Sequence, residues 1–333
     1  MNYIGSKYSL LDFLQTTIDN VTGLKPSDGY IFGDLFAGTG VVGAKYKERG
    51  CRVIANDIQY YSYVLNRHYL ENCPPMDASL LDHLNALEGV EGFVYNNYCA
   101  GSGSARNYYT DSNGKRCDAI RLELNRLFES GEIDEGTFFW YLASLINSID
   151  KYANTASVYG AFLKHIKASA QKDFKLELLP VINGTVGKAY NEDINRLVRR
   201  ISGDVLYLDP PYNTRQYCAN YHVLETIAKY DNPVLAGKTG LRDYRDQKSL
   251  FCSAVTVAST FEDLIANADF RYIFLSYNNE GLMSFDTIEG IMSNYGKYLR
   301  FTQEYRRFKA DRDENRNIAA NSTLEYLHCL IKE

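Results

Sequence analysis

The run from Tyr30 to Asp57 constrains the fold more than any other stretch. Tyr30-Ile31-Phe32-Gly33-Asp34-Leu35-Phe36 reads as a buried strand and Ala37-Gly38-Thr39-Gly40 as a glycine turn. Val41-Val42-Gly43-Ala44-Lys45-Tyr46 starts a helix that closes near Gly50, and Cys51-Arg52-Val53-Ile54-Ala55-Asn56-Asp57 is the next strand. Such βαβ units are right-handed, so both turns face the sheet edge where open α/β folds bind ligands. The glycines let backbone approach a ligand closely, and Asp57, about 20 residues past the turn, is placed to accept both hydroxyls of a ribose. Gly38-x-Gly40 lacks a third glycine in phase, because Gly43 falls at the wrong position. Asp34, just before the turn, would repel a phosphate and attract a cationic amino-acid group. A nucleoside carrying such a group is S-adenosylmethionine; a pyrophosphate site and a βαβ unit with no ligand are the alternatives.

The second constraint is Asp209-Pro210-Pro211-Tyr212, which follows the apolar run Val205-Leu206-Tyr207-Leu208. The run reads as a buried parallel strand, so Asp209 falls at its C-terminal end. Two prolines fix φ twice and supply two carbonyls with no N–H between them, giving a stiff, acceptor-only exit from the sheet. A carboxylate, a proline carbonyl and the Tyr212 face together suit a flat heterocycle with an exocyclic amino group. A plain proline-rich turn is the alternative. Asp193, at a strand-to-helix turn, either reads the adenine amino group of a cofactor or caps the helix that follows.

At 333 residues the chain has room for two domains or one with a large insertion. The pattern predicts a helix with Leu10, Leu11, Leu14 and Ile18 on one face, and a tyrosine-rich helix from Ile58 to about Glu71 broken by Cys73-Pro74-Pro75. Residues 76–186 carry no parallel-strand pattern. Helices are expected near 78–88, 118–129 and 137–151, with a polar loop from Gly101 to Gly114. The expected organisation is therefore a catalytic domain of residues 1–72 and 187–333, interrupted by a largely helical lobe, 73–186. Phe270–Tyr277, the stretch around 299–309 and Thr323–Ile331 read as further strands, with Asp311–Arg316 as a connection.

The net charge of −5 argues against a purely electrostatic nucleic-acid binder. Between Lys151 and Arg200, however, nine lysines and arginines face four acids. That surplus suits either a phosphate-tracking cleft or a solvated helix face. Lys238, Arg242, Arg245 and Lys248, in a loop, are further candidates for phosphate contact. The seven scattered cysteines, with no Cys-x-x-Cys pair, read as reduced thiols and point to no metal site. No apolar run reaches membrane-spanning length and Met1-Asn2-Tyr3 does not open a secretion signal, so the expected location is the cytoplasm, with no membrane partner.

Taken in order, Asn2-Tyr3-Ile4-Gly5-Ser6-Lys7, Phe36-Ala37-Gly38-Thr39-Gly40, Asn56-Asp57 and Asp209-Pro210-Pro211-Tyr212 resemble the D12 class of DNA adenine-N6 methyltransferases, in its α arrangement. Asn154-Thr155-Ala156-Ser157-Val158-Tyr159-Gly160-Ala161-Phe162-Leu163-Lys164 is similar to the branch of type II modification enzymes that includes the FokI methylase. One departure is Ser6, where the family usually has a second glycine. The resemblance implies a Rossmann-like S-adenosylmethionine-dependent methyltransferase fold: a mixed, mostly parallel sheet with a C-terminal antiparallel strand and a target-recognition insertion. It implies methyl transfer from S-adenosylmethionine to N6 of an adenine flipped out of double-stranded DNA, in a restriction–modification setting with a companion endonuclease. Tyr3 and Lys7 would close over the cofactor, Phe36 to Gly40 would surround its methionine part, Asp57 would hold its ribose, Ile58 would pack on its adenine and Asp193 would read the amino group. Asp209 and the Pro210 carbonyl would accept the two N6–H bonds, with Tyr212 stacked on the base. The rivals are an N4-cytosine methyltransferase, for which Ser rather than Asp at 209 would be expected, a catalytically silent nucleic-acid-binding module, and an NAD-dependent oxidoreductase.

Overall fold

The computed structural model describes residues 7–306 and 322–332. Tyr3 and the Asp311–Arg316 connection lie outside the described residues. Within them, strands run in chain order as β1 (Ile31–Asp34), β2 (Arg52–Asn56), β3 (Lys188–Tyr190), β4 (Ser202–Leu208), β5 (Leu235–Ala236), β6 (Leu241–Arg242), β7 (Asp269–Asn278), β8 (Gly296–Arg306) and β9 (Ser322–Lys332). The chain divides into two compact units. One gathers Gly5–Ile58, Asn183–Gln216 and Lys248–Glu333; the other, among the described residues, gathers Gln59–Ile182 and Tyr217–Gln247.

The first unit holds a seven-stranded sheet in the order β3-β2-β1-β4-β7-β9-β8. β3, β2, β1, β4 and β7 pair in parallel, while β9 runs antiparallel to both β7 and β8. A parallel sheet with one reversed C-terminal strand is the expected Rossmann-like methyltransferase architecture. Central strands in such sheets are covered on both faces and therefore read as continuous apolar runs. Phe32 of β1 shows this: it lies in register with Val53 and Val205, all three fully buried. Its ring stacks on Tyr46 of the crossover helix Val41–Glu48, with centroids 3.7 Å apart. Two helices unassigned from the pattern, Val257–Asn267 and Phe285–Ser293, bury Phe261, Leu264, Ile288 and Met292 against Leu206, Ile273 and Leu275. Ser284 caps the second by accepting from Thr287 N at 3.1 Å.

Among the described residues, the regular structure of the second unit is helical apart from the β5–β6 hairpin. Its centre is the helix Glu135–Asp150, which buries Phe138 through Ile146 without a break. A helix apolar on every side must be enclosed. Seven fully buried tyrosines, Tyr61, Tyr98, Tyr108, Tyr109, Tyr141, Tyr159 and Tyr221, account for a quarter of the chain's 28. Among the bonded hydroxyls, Tyr108 Oη donates to Tyr159 O at 2.6 Å and Tyr98 Oη to Gly240 O at 3.1 Å, while Tyr159 Oη donates to Asp150 Oδ1 at 2.8 Å.

This unit is wider than the 73–186 lobe read from the pattern. The helix Tyr60–Glu71 sends Tyr61, Val64 and Leu65, and the helix His222–Lys229 sends Val223, Leu224 and Ile227, into the same core as Phe138 to Ile149. The expected loop ending at Gly114 is also corrected. A helix spans Asp111–Glu129, capped by Thr110, and Gly114 lies inside it. A Cβ on Gly114 would meet Cys99 Sγ at 2.2 Å, so this glycine serves a close approach of two segments rather than a turn.

Candidate active site

β1, β2, β3 and β4 run parallel, so the residues that follow them share one edge of the first unit's sheet. Asp34 ends β1 and is buried, its Oδ2 accepting from Gly43 N at 3.1 Å at the start of the crossover helix. Burial, with the charges of Asp209 and Asp57 adding to it, pushes the Asp34 carboxyl up to about 8. The turn between them reverses tightly because Gly38 and Gly40 take φ of 51° and 78°, a region that L side chains rarely enter. Asp57 Oδ2 accepts from Gly38 N at 2.8 Å, which ties the end of β2 to the turn. Phe36 packs edge-on against Phe251, with centroids 5.0 Å apart. Ile58 is half-buried. Asp193, after β3, is exposed and caps the short helix Ile194–Leu197 by accepting from Arg196 N at 3.1 Å.

Backbone amides with no side chain in the way, a buried acid held mostly protonated and a second carboxylate at the end of β2 form one donor and acceptor set. A cationic amino-acid head and a ribose are chemically matched to it.

After β4, Asp209 and Tyr212 join Lys7 in one cluster. The Lys7 ammonium donates to Tyr212 Oη at 2.9 Å and to Asp209 Oδ1 at 3.0 Å. Its third partner, Glu325 Oε1 at 3.1 Å, was not among the residues singled out from the sequence. Tyr212 Oη also lies 2.9 Å from Asp209 Oδ1 and 2.5 Å from Glu325 Oε1. The route by which Glu325 arrives is non-local. β7 lies beside β4, and β9 runs antiparallel to β7 with Glu325 opposite Asn278, the last residue of β7. The local signal was a carboxylate between Leu324 and Tyr326 in the apolar and aromatic run of β9.

Burial alone would lower the proton affinity of Lys7, but Asp209 and Glu325 outweigh it and hold the ammonium above its ordinary range. Burial raises the Asp209 carboxyl, Lys7 opposes the rise, and Glu325 adds to it, leaving it above the usual carboxylate range. The Tyr212 ring lies 4.9 Å from Lys7 Nζ and 4.9 Å from the Tyr277 ring centre. Pro210 is buried and Pro211 half-buried. Among the described residues, neither Asp209 Oδ2 nor the Pro210 carbonyl accepts a hydrogen bond, whereas Asp209 Oδ1 is engaged twice. The loop therefore presents two acceptors.

The proposed phosphate contacts fare unevenly. Arg242 is buried and held by Asp231 through two bonds of 3.0 and 2.6 Å, so its charge is spent inside the second unit and it is no surface contact. Arg245 is exposed but paired with Asp243, and Lys238 and Lys248 are exposed. The nine bases between Lys151 and Arg200 are divided between the two units, and Lys151, Arg199 and Arg200 pair with Glu177, Asp263 and Glu192. All seven cysteines are free thiols.

The chain is similar to several type II methyltransferases. The type II methyltransferase M.NlaIII of Neisseria lactamica is 54% identical over 100% of this chain and 99% of its own length. M.CviAII of Paramecium bursaria Chlorella virus 1, also a type II methyltransferase, is 36% identical over 98% of this chain and 97% of its own. M.FokI of Planomicrobium okeanokoites is 39% identical over 100% of this chain, which spans only 53% of that enzyme. The family profile of D12 class N6 adenine-specific DNA methyltransferases matches residues 3–291. With the reversed-strand sheet, the glycine turn and the acceptor loop at one edge, this match shows that the chain belongs to the D12 class of N6 adenine-specific DNA methyltransferases.

Proposed function

We propose that methyl transfer by this chain takes place on the loop after β4, with Asp209 Oδ2 and the Pro210 carbonyl accepting the two N6–H bonds of an adenine and Tyr212 supporting its ring. The observation that carries this reading is the pair of acceptors without a hydrogen bond among the described residues, beside polar groups that are otherwise engaged. The methyl donor of the family is S-adenosylmethionine, which supplies an electrophilic methyl group on a sulfonium. Asp34 would meet its amino-acid head, Phe36, Gly38 and Gly40 its methionine part, and Asp57 its ribose. Ile58 and Asp193 would lie against its adenine, and Tyr3 and Lys7 would close over it.

An adenine amino nitrogen is a weak nucleophile because its lone pair is delocalised into the ring. Two fixed acceptors favour a pyramidal nitrogen and aim that lone pair at the methyl carbon, so positioning and electrostatics supply the catalysis. Taking the base out of duplex DNA costs a few kcal/mol, of which aromatic stacking returns about 1–3 kcal/mol. Exposed Lys164, Lys172, Lys175 and Lys238 of the helical unit would contact phosphates and leave base reading to neighbouring loops. The setting we infer is the cytoplasm, beside a companion restriction endonuclease of the same specificity. No helix among the described residues is long and apolar enough to cross a membrane.

Incubating unmodified DNA with the protein and S-adenosylmethionine, then mapping modified bases by sequencing, tests this reading. Modified adenines are expected in one short sequence context; adenines modified without regard to context would overturn site-specific recognition.

A further inference from the structure

Lys7 has three N–H bonds, and the structure gives each one a partner: Asp209 Oδ1 at 3.0 Å, Glu325 Oε1 at 3.1 Å and Tyr212 Oη at 2.9 Å. Tyr212 has one hydroxyl proton to give to two carboxylates, and Glu325 is the nearer at 2.5 Å against 2.9 Å for Asp209. The Lys7 and Glu325 side chains are only 8% and 7% exposed, so solvent screens this competition little. Two carboxylates share one ammonium, and the cluster carries one negative charge more than it can neutralise.

Resting on the methyl-transfer reading above, we propose that Glu325 is a positioning residue for that reaction: by drawing Lys7 and the Tyr212 hydroxyl towards itself, it leaves Asp209 able to take the proton that the methylated amino group must lose. In balance, the N6 lone pair forms the N–CH3 bond while the C–S bond breaks and its electron pair stays on sulfur, giving a neutral thioether. The nitrogen, now cationic, loses one N–H proton to Asp209 Oδ2, and that bond's electrons return to nitrogen. The surplus negative charge of the cluster is cancelled, and the Asp209 proton leaves to solvent after product departs. With Lys7 facing Asp209 alone, the ion pair would be one to one and the carboxylate a weaker base.

The titratable groups facing Asp209 are Lys7 from the N-terminal segment, Tyr207 and Tyr212 from β4 and its loop, Asp34 from the end of β1 and Glu325 from β9. Tyr277 of β7 lies behind Tyr212, and Asp57 acts on the group through Asp34. Glu325 is the member that raises Asp209 without touching its carboxylate.

The test is carried out on the full chain. In Glu325→Gln, the Asp209 carboxyl, followed by carbon NMR of aspartate-labelled protein and assigned with Asp209→Asn, should titrate about one pH unit lower than in wild type. Single-turnover methyl transfer at saturating DNA and S-adenosylmethionine should fall about 3- to 10-fold, with its acid limb displaced in the same direction and DNA affinity unchanged. Glu325→Asp, which keeps the charge, should return the limb towards wild type. If Glu325→Gln does not fold, Lys7→Met provides the test, because two carboxylates without their cation should move the Asp209 titration upward, and Lys7→Met/Glu325→Gln should bring it back. An unshifted Asp209 titration in Glu325→Gln, or a Lys7→Met titration at or below wild type, overturns the proposal. Wild-type protein that transfers no methyl group overturns the methyl-transfer reading instead.

Discussion

Each unit encloses a carboxylate beside a lysine, and the two are handled in opposite ways. Glu225 of the helical unit is 1% exposed and closed: Oε1 takes Tyr60 N at 3.2 Å, Gln247 Nε2 at 2.6 Å and Lys229 Nζ at 2.9 Å, and Oε2 takes Tyr61 N at 3.0 Å. Two of those donors are orphan amides at the start of the helix Tyr60–Glu71, so this acid is a cap brought from a distant segment. Asp209 of the sheet unit is 17% exposed, with Oδ1 engaged twice and Oδ2 accepting nothing among the described residues. A saturated buried acid holds structure; an acid left with one open oxygen, on a loop stiffened by two prolines, is arranged for a ligand.

This contrast is broken or sharpened by substitution. Asp209→Ala should lose methyl transfer by about 10³-fold, the scale of a group that stabilises a transition state directly, while S-adenosylmethionine affinity and thermal stability stay near wild type. Single-turnover kinetics, calorimetry and melting curves check the three parts. Glu225→Ala should do the reverse. Stranding buried amides and Gln247 costs about 3 kcal/mol in denaturant unfolding, and the folded fraction should keep its transfer rate. A stable Glu225→Ala protein with no activity would dissolve the distinction.

Asp34 sharpens the electrostatic side. Its carboxyl is raised to about 8, so without cofactor it is mostly protonated at neutral pH. A cationic ligand head favours the ionised form, so S-adenosylmethionine affinity should rise with pH between 6 and 8, by up to about tenfold per unit. The cofactor-free protein should move the other way. Folded Asp34 keeps a proton that the unfolded chain releases above its ordinary value near ~4, so stability is lost as pH rises from there through about 8. Calorimetric titration and melting at several pH values check both signs, and Asp34→Asn should flatten both profiles. The smallest effect belongs to Asp193→Ala. Loss of its cap should cost about 1 kcal/mol of stability. A rise of about threefold in the S-adenosylmethionine Kd, the scale of a weak hydrogen bond, is expected if the same side chain reads the cofactor; an unchanged Kd would leave Asp193 as a cap alone.

Much of this was legible in the sequence because it is local. The glycine turn announces itself through residues that tolerate positive φ, and Asp209-Pro210-Pro211-Tyr212 through a strand that must end where the prolines begin. What stayed hidden depends on pairing between distant segments. Glu325 acquires its partners only because β9 runs antiparallel beside β7. Arg242 looked like a surface cation until Asp231 took both arms of its guanidinium. Gly114 followed an asparagine, a common turn signal, yet its position is set by the Cys99 sulfur. The width of the helical unit is hidden for the same reason, since residues 217–247 join it by packing and leave no composition change in the chain.

The central claim, that the open carboxylate of Asp209 is where adenine is methylated, meets its most direct test in the product. Wild type and Asp209→Ala are incubated with DNA and methyl-labelled S-adenosylmethionine, and the DNA is digested to nucleosides and analysed by mass. The account predicts labelled N6-methyladenine from wild type and none from a variant that still binds S-adenosylmethionine. Labelled N4-methylcytosine, or undiminished N6-methyladenine from Asp209→Ala, would contradict it.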